Sequence, residues 1–74
     1  MNKKFIKVER PGRGPEFWDA SRYTDEVHDG GVLTIWEMKT AAVDDNVLVK
    51  TYSPAGWESV GFEYRKPDTI EQAR

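Results

Sequence analysis

No cysteine occurs in this 74-residue chain, so neither a disulfide framework nor a cysteine-rich zinc site can hold it. Packing alone must close the fold, and a chain this short buries only about 60–65% of its unfolded surface. Marginal stability, or support from a partner, is the expectation. The length allows one small domain, residues 1–74. Nine aromatic residues (Phe5, Phe17, Trp18, Tyr23, Trp36, Tyr52, Trp57, Phe62, Tyr64) argue against disorder, which is aromatic-poor. No apolar run approaches the roughly 18 residues of a membrane span. Met1-Asn2-Lys3-Lys4 carries charge with no apolar stretch behind it, so no secretory signal is read there. A reducing, cytoplasmic setting away from membranes is expected.

Net charge is −2, but its distribution is uneven. Residues 1–15 hold five bases (Lys3, Lys4, Lys7, Arg10, Arg13) and one acid, Glu9, for a net +4. Residues 16–30 hold five acids (Glu16, Asp19, Asp25, Glu26, Asp29) and one base, Arg22, for a net −4. The plain expectation is that the two segments attract each other in the fold. The sharper one is two patches of opposite sign aimed at partners. A slightly acidic total disfavours nucleic-acid binding by bulk charge.

Along the chain, KKFIKVER (residues 3–10) reads as a strand, with Ile6 and Val8 on one face and Phe5, Lys7 and Glu9 on the other. Arg10-Pro11-Gly12-Arg13-Gly14-Pro15 reads as a break in the ladder. Residues 15–28 fit a helical wheel: Phe17, Ala20, Tyr23, Thr24, Val27 and His28 share one arc, and Asp19, Arg22, Asp25, Glu26 and Asp29 the other. Pro15 suits a first helical position and Gly30-Gly31 a stop. One residue, Trp18, falls on the charged arc. The competing assignment is a strand at 22–27 with Asp29-Gly30 as a hairpin turn.

Residues 32–42, 47–52 and 57–65 read as three further strands, separated by Asp44-Asp45-Asn46 and Ser53-Pro54-Ala55-Gly56. Asp68 and Glu71 form a candidate capping pair after Pro67. Closing the second loop sets Tyr52 opposite Trp57, Val49 opposite Val60 and Val47 opposite Phe62. Closing the first sets Ala42 opposite Val47, Thr40 opposite Val49 and Met38 opposite Thr51. One face then collects Val32, Thr34, Trp36, Met38, Val47, Val49, Val60, Phe62 and Tyr64 as a core for the helix to cover. The other, wet face collects Leu33, Ile35, Glu37, Lys39, Leu48, Lys50, Tyr52 and Trp57, and a one-residue slip exchanges the two. The expected fold is thus a two-layer α+β domain in the order β-α-β-β-β. The alternative is a small all-β antiparallel barrel.

On that wet face Tyr52 and Trp57 would form an aromatic patch, and Lys39 would oppose Lys50. Such a surface suits a protein partner, or single-stranded nucleic acid with Arg13 assisting. It is also what an aromatic pair that merely stabilises a hairpin would give. Trp18, Arg22, Asp19, Asp25, Glu26 and Asp29 form a second candidate partner surface along the charged arc. The turn around Arg13 is similar to the core of AT-hook motifs over about three residues, without their flanking bases. His28 is the only histidine, and its neighbouring carboxylates do not make a closed metal site. No cofactor, metal site or catalytic constellation is expected. The expected function is non-catalytic protein binding by a stand-alone small protein. It would act by covering a functional surface of a larger, nucleic-acid-processing or other complex. The profile is similar to that of phage or mobile-element inhibitors, including anti-CRISPR proteins, in size and composition alone. A nucleic-acid-binding module using Lys39, Lys50, Tyr52 and Trp57 is the alternative, and a subunit of a homo-oligomer a third class.

Overall fold

The computed structural model describes residues 2–40 and 43–66. Six strands form two three-stranded antiparallel sheets: β1 (Lys3–Arg10), β2 (Arg13–Asp19), β3 (Tyr23–Val27), β4 (Leu33–Glu37), β5 (Val47–Tyr52) and β6 (Ser59–Arg65). The first sheet has the order β2-β1-β6 and the second β3-β4-β5. The central strands β1 and β4 carry six of the buried residues, Phe5, Ile6, Val8, Leu33, Thr34 and Ile35. The described part is all-β, so the expected helix over 15–28 is replaced by the end of β2, a turn and β3.

The helical wheel failed for a physical reason. Trp18, the residue that broke its pattern, is 3% exposed in the core. Burying an indole contributes on the order of 3 kcal/mol or more, against a few tenths per residue for helix propensity. Asp19 also offers the backbone an alternative to a helical turn. Its Oδ1 accepts from the Ser21 N–H (2.9 Å) and the Ser21 hydroxyl (2.7 Å), and its carbonyl accepts from the Arg22 N–H (3.0 Å). That turn sends the chain from one sheet to the other. The competing strand at 22–27 is the one that forms. The two sheets remain separate, however, rather than closing into a barrel.

The expected break at 10–15 shrinks to Pro11-Gly12, where Gly12 has φ +68°. Gly14 and Pro15 lie inside β2, where the register slips by one residue opposite Glu9. Proline is tolerated there because β2 is an edge strand and the slip leaves no ladder bond for it to donate. Gly30 (φ +85°) and Gly31 (φ +86°) close the β3–β4 loop, with the His28 N–H donating to Val32 O at 2.8 Å.

The register after β4 differs from the expected one. Leu33 faces Tyr52 and Ile35 faces Lys50, followed by a bulge at Val49 and the pair Trp36–Leu48. β4 therefore ends at Glu37, and a longer connection with a 3-10 turn at Val43–Asp45 replaces the tight hairpin. The expected partner of Val47, Ala42, and the capping pair at 68–71 lie outside the described residues. The Ser53–Gly56 turn does form, through the Gly56 N–H to Ser53 O (2.9 Å). The chain leaving it pairs with β1 rather than β5. Lys39 and Lys50 consequently do not face each other.

The two expected faces of β4 are thereby exchanged. Leu33 (0% exposed), Ile35 (0%) and Tyr52 (5%) join Ile6, Val8 and Trp18 in the core between the sheets. Met38, Val47, Val49, Phe62 and Tyr64, expected inside, are exposed. β1 also takes the basic N-terminal segment alongside the acidic one, so Lys3 pairs with Asp19 and Arg10 with Glu16. The expected mutual attraction of the two segments is realised across one strand pair.

Candidate functional site

The outer face of the second sheet carries the more open surface. Trp36 sits mid-sheet there, with Thr24 of β3 and Leu48 of β5 directly opposite it on either side. Its indole is oriented by a polar relay. Trp36 Nε1 donates to Thr34 Oγ1 (3.0 Å), and that hydroxyl donates to Glu26 O (3.4 Å). His28 Nε2 lies 2.8 Å from the same hydroxyl, which keeps a lone pair for its proton. Thr34 is buried at 7% exposure, and these contacts satisfy it.

Acidic residues of β3 and of the 43–46 turn lie beside that indole. The result is a groove of about 520 Å³, with Trp36 and Met38 on its apolar side and Asp25, Glu26, Asp44 and Asn46 on its polar side. Among the described residues, Asp25 and Asp44 have no ion pair, and Glu26 meets only His28, at 3.2 Å. Among the other described acids, Glu9, Glu16, Asp19, Glu37 and Glu63 each meet a lysine or arginine, whereas Asp29, Asp45 and Glu58 have no ion pair.

A second cleft, of about 370 Å³, lies between the Pro11-Gly12 turn and the 53–56 loop. Arg13 and Lys50 line it, with Arg10, Glu16 and Tyr52 at its base. Arg10 is committed to the fold, donating from Nε (2.9 Å) and Nη2 (2.7 Å) to Gly14 O at the β2 irregularity. Tyr52 donates its hydroxyl to Glu16 and accepts from Trp18 Nε1 (3.2 Å). Burial first, then the hydrogen bond to Glu16, pushes the Tyr52 phenol well above its ordinary value of 10.0.

The residues expected at functional surfaces divide accordingly. Asp25 and Glu26 come together in the acidic groove, and Arg13, Lys50 and Tyr52 in the basic cleft. Trp18 is interior, edge-on to Tyr23 at 5.2 Å, and Arg22 lies over Tyr23 (5.4 Å) while pairing with Glu37 (3.1 Å). Asp19 is buried beneath Lys3. Burial raises the pKa of Asp19, but Lys3 and Ser21 outweigh it and hold the carboxyl below the usual range. Asp29 sits in the exposed β3–β4 loop. Trp57 is half-buried, with Nε1 donating to Gly31 O (2.8 Å), and Lys39 pairs with Glu37 (2.9 Å). Trp36, Met38, Asp44 and Asn46 were missed as site residues. Trp36 and Met38 read as core and Asp44-Asn46 as a turn, and only the bulged register brings them together.

The arrangement around His28 is not that of a nucleophile–histidine–acid relay. Thr34 and Glu26 both meet His28 at Nε2, whereas a nucleophile and an orienting acid must use opposite ring nitrogens. Among the described residues no three of His, Asp and Glu converge to hold a metal ion. None of their helices is long and apolar enough to cross a membrane. No protein-family model, curated protein or solved structure matches the chain.

Proposed function

We propose that this chain is a non-catalytic protein-binding domain, acting by covering a surface of a larger partner. The observation that carries the reading is the apolar surface left on the two outer strands β5 and β6. Val47 (46% exposed), Leu48 (47%) and Val49 (41%) on β5, and Phe62 (59%) and Tyr64 (63%) on β6, face solvent in a chain with eight buried apolar side chains. A small domain gains from burying such residues, and exposed apolar residues on an open sheet edge suit an interaction surface. The other two sheet edges are blunted in ways that discourage pairing: β2 by Pro15 and its bulge, β3 by Asp25 and Glu26. β5 has a single charge, Lys50, and an open hydrogen-bonding edge that an extended segment can join.

The test is comparative affinity capture from the native host's lysate with the wild-type chain, Leu48→Asp and Phe62→Ser. One partner held by the wild type and lost from either variant supports the reading and says which strand is used. Equal recovery by all three contradicts it.

Nucleic-acid binding is favoured by one observation, the shared cleft of Arg13, Lys50 and Tyr52. Against it, the Tyr52 ring is buried and its hydroxyl already bound, so it offers no stacking platform. Salt-sensitive binding of oligonucleotides lost in Arg13→Ala would restore that reading.

A further inference from the structure

We infer that the groove over Trp36 receives a lysine or arginine side chain from an extended, basic segment of the protein partner, an inference that rests on the protein-binding reading above. Three features meet in one place. An indole held in position by Thr34 lines the groove, and an aromatic face attracts an ammonium or guanidinium group. Asp25, Glu26 and Asp44 line it with no lysine or arginine paired to them among the described residues, as is also true of Asp29, Asp45 and Glu58, whereas five acids are so paired. The open edge of β5 adjoins it, because Leu48 is the direct cross-strand neighbour of Trp36.

The third feature sets the ligand's shape. A segment that pairs with β5 runs as a strand, and alternate side chains of a strand point to the same face. A basic residue placed opposite Leu48 therefore reaches toward the Trp36 side, and its apolar neighbours turn to the other face. The carboxylates would steer such a segment and reject an acidic one, which costs affinity through like-charge repulsion. Nucleic acid, being anionic, is excluded from this groove by the same charges.

The probe is a pair of capped peptides, one alternating valine with lysine and the other valine with glutamate. Each is titrated into the full chain and followed by tryptophan emission and by amide shifts of β4 and β5. The lysine peptide should bind and the glutamate peptide should not. Trp36→Leu should weaken the lysine peptide about tenfold. Asp25→Asn with Asp44→Asn should weaken it several-fold and flatten its salt dependence, without loss of the folded spectrum. Three results overturn the inference: no binding of the lysine peptide, binding unchanged by both sets of substitutions, or equal binding of the two peptides. The last, if it is lost in Leu48→Asp, leaves β5 as a protein-binding edge and removes only the groove.

Discussion

The two sheets have the same strand number and the same antiparallel pairing, yet they finish their outer faces in opposite ways. On the first sheet, Phe5 (2% exposed) and Phe17 (9%) sit edge-on at 6.3 Å under a layer of the chain's own charges. Lys3 meets Asp19, Lys7 meets Glu9 and Glu63, and Arg65 meets Glu63 while lying 5.1 Å over the Phe17 ring. On the second sheet, Trp36 lines a groove with Asp25, Glu26 and Asp44, which no lysine or arginine pairs among the described residues. Surface ion pairs add little stability one by one, but here their aliphatic stems cover aromatic rings. The first face is closed by intramolecular partners. The second has the same ingredients, an aromatic and acids, and lacks the bases. The lesson is that the −4 segment serves two purposes, Glu16 and Asp19 sealing the fold and Asp25 and Glu26 remaining for something else.

The largest effects should fall on the closed side. Phe5→Ala should cost about 3–5 kcal/mol in denaturant unfolding, whereas Leu48→Ala should cost no more than about 1 kcal/mol. Equal losses would break the comparison. Next comes the Tyr52 relay. Tyr52→Phe removes the hydroxyl that accepts from Trp18 Nε1 and donates to Glu16, and should cost about 1–3 kcal/mol at neutral pH. Because the folded phenol ionises above its ordinary value of 10.0, the unfolded chain loses that proton first as pH rises. Wild-type stability should therefore fall above that pH, and more steeply than that of Tyr52→Phe.

Acid sharpens the same contrast. The Asp19 pKa is lowered by Lys3 and Ser21 against the opposing effect of burial, and the Glu37 pKa is lowered by Lys39 and then Arg22. For each, the folded form binds its proton later than the unfolded form. Their stabilisation is fully present above the ordinary values of 3.8 and 4.5, and is lost as pH falls through the folded values. Asp19→Asn should flatten the acid limb of an unfolding-versus-pH curve. The smallest expected change is for Asp25→Asn with Asp44→Asn, within about 0.5 kcal/mol at neutral pH by the same unfolding measurement.

Some of this architecture was legible in the sequence. The alternation of Ile6 and Val8 places β1, the Ser53–Gly56 turn forms where its proline and glycine indicate, and the strand read at 57–65 forms at Ser59–Arg65. The pairing was not legible, because it depends on contacts between residues far apart in sequence. Nothing local says that β6 prefers β1 to β5, and a one-residue bulge at Val49 decides which face of β5 meets Trp36. The 15–28 stretch satisfied a 3.6-residue period, with a strand at 22–27 as its competitor, and Trp18 was the one residue that broke the helical pattern. Of the site, Asp25 and Glu26 were visible as unbalanced acids. Trp36 was not, since a tryptophan in an apolar run reads as core until the register turns it outward.

Quenching of tryptophan emission by caesium and by iodide tests the contrast between closed and open faces most directly. A Trp18→Phe, Trp57→Phe chain that retains the folded spectrum reports Trp36 alone. Its emission should be quenched more strongly by caesium than by iodide, and Asp25→Asn with Asp44→Asn should erase the difference. Quenching by iodide as strong as by caesium, or none by either ion, would contradict an open acidic groove over Trp36.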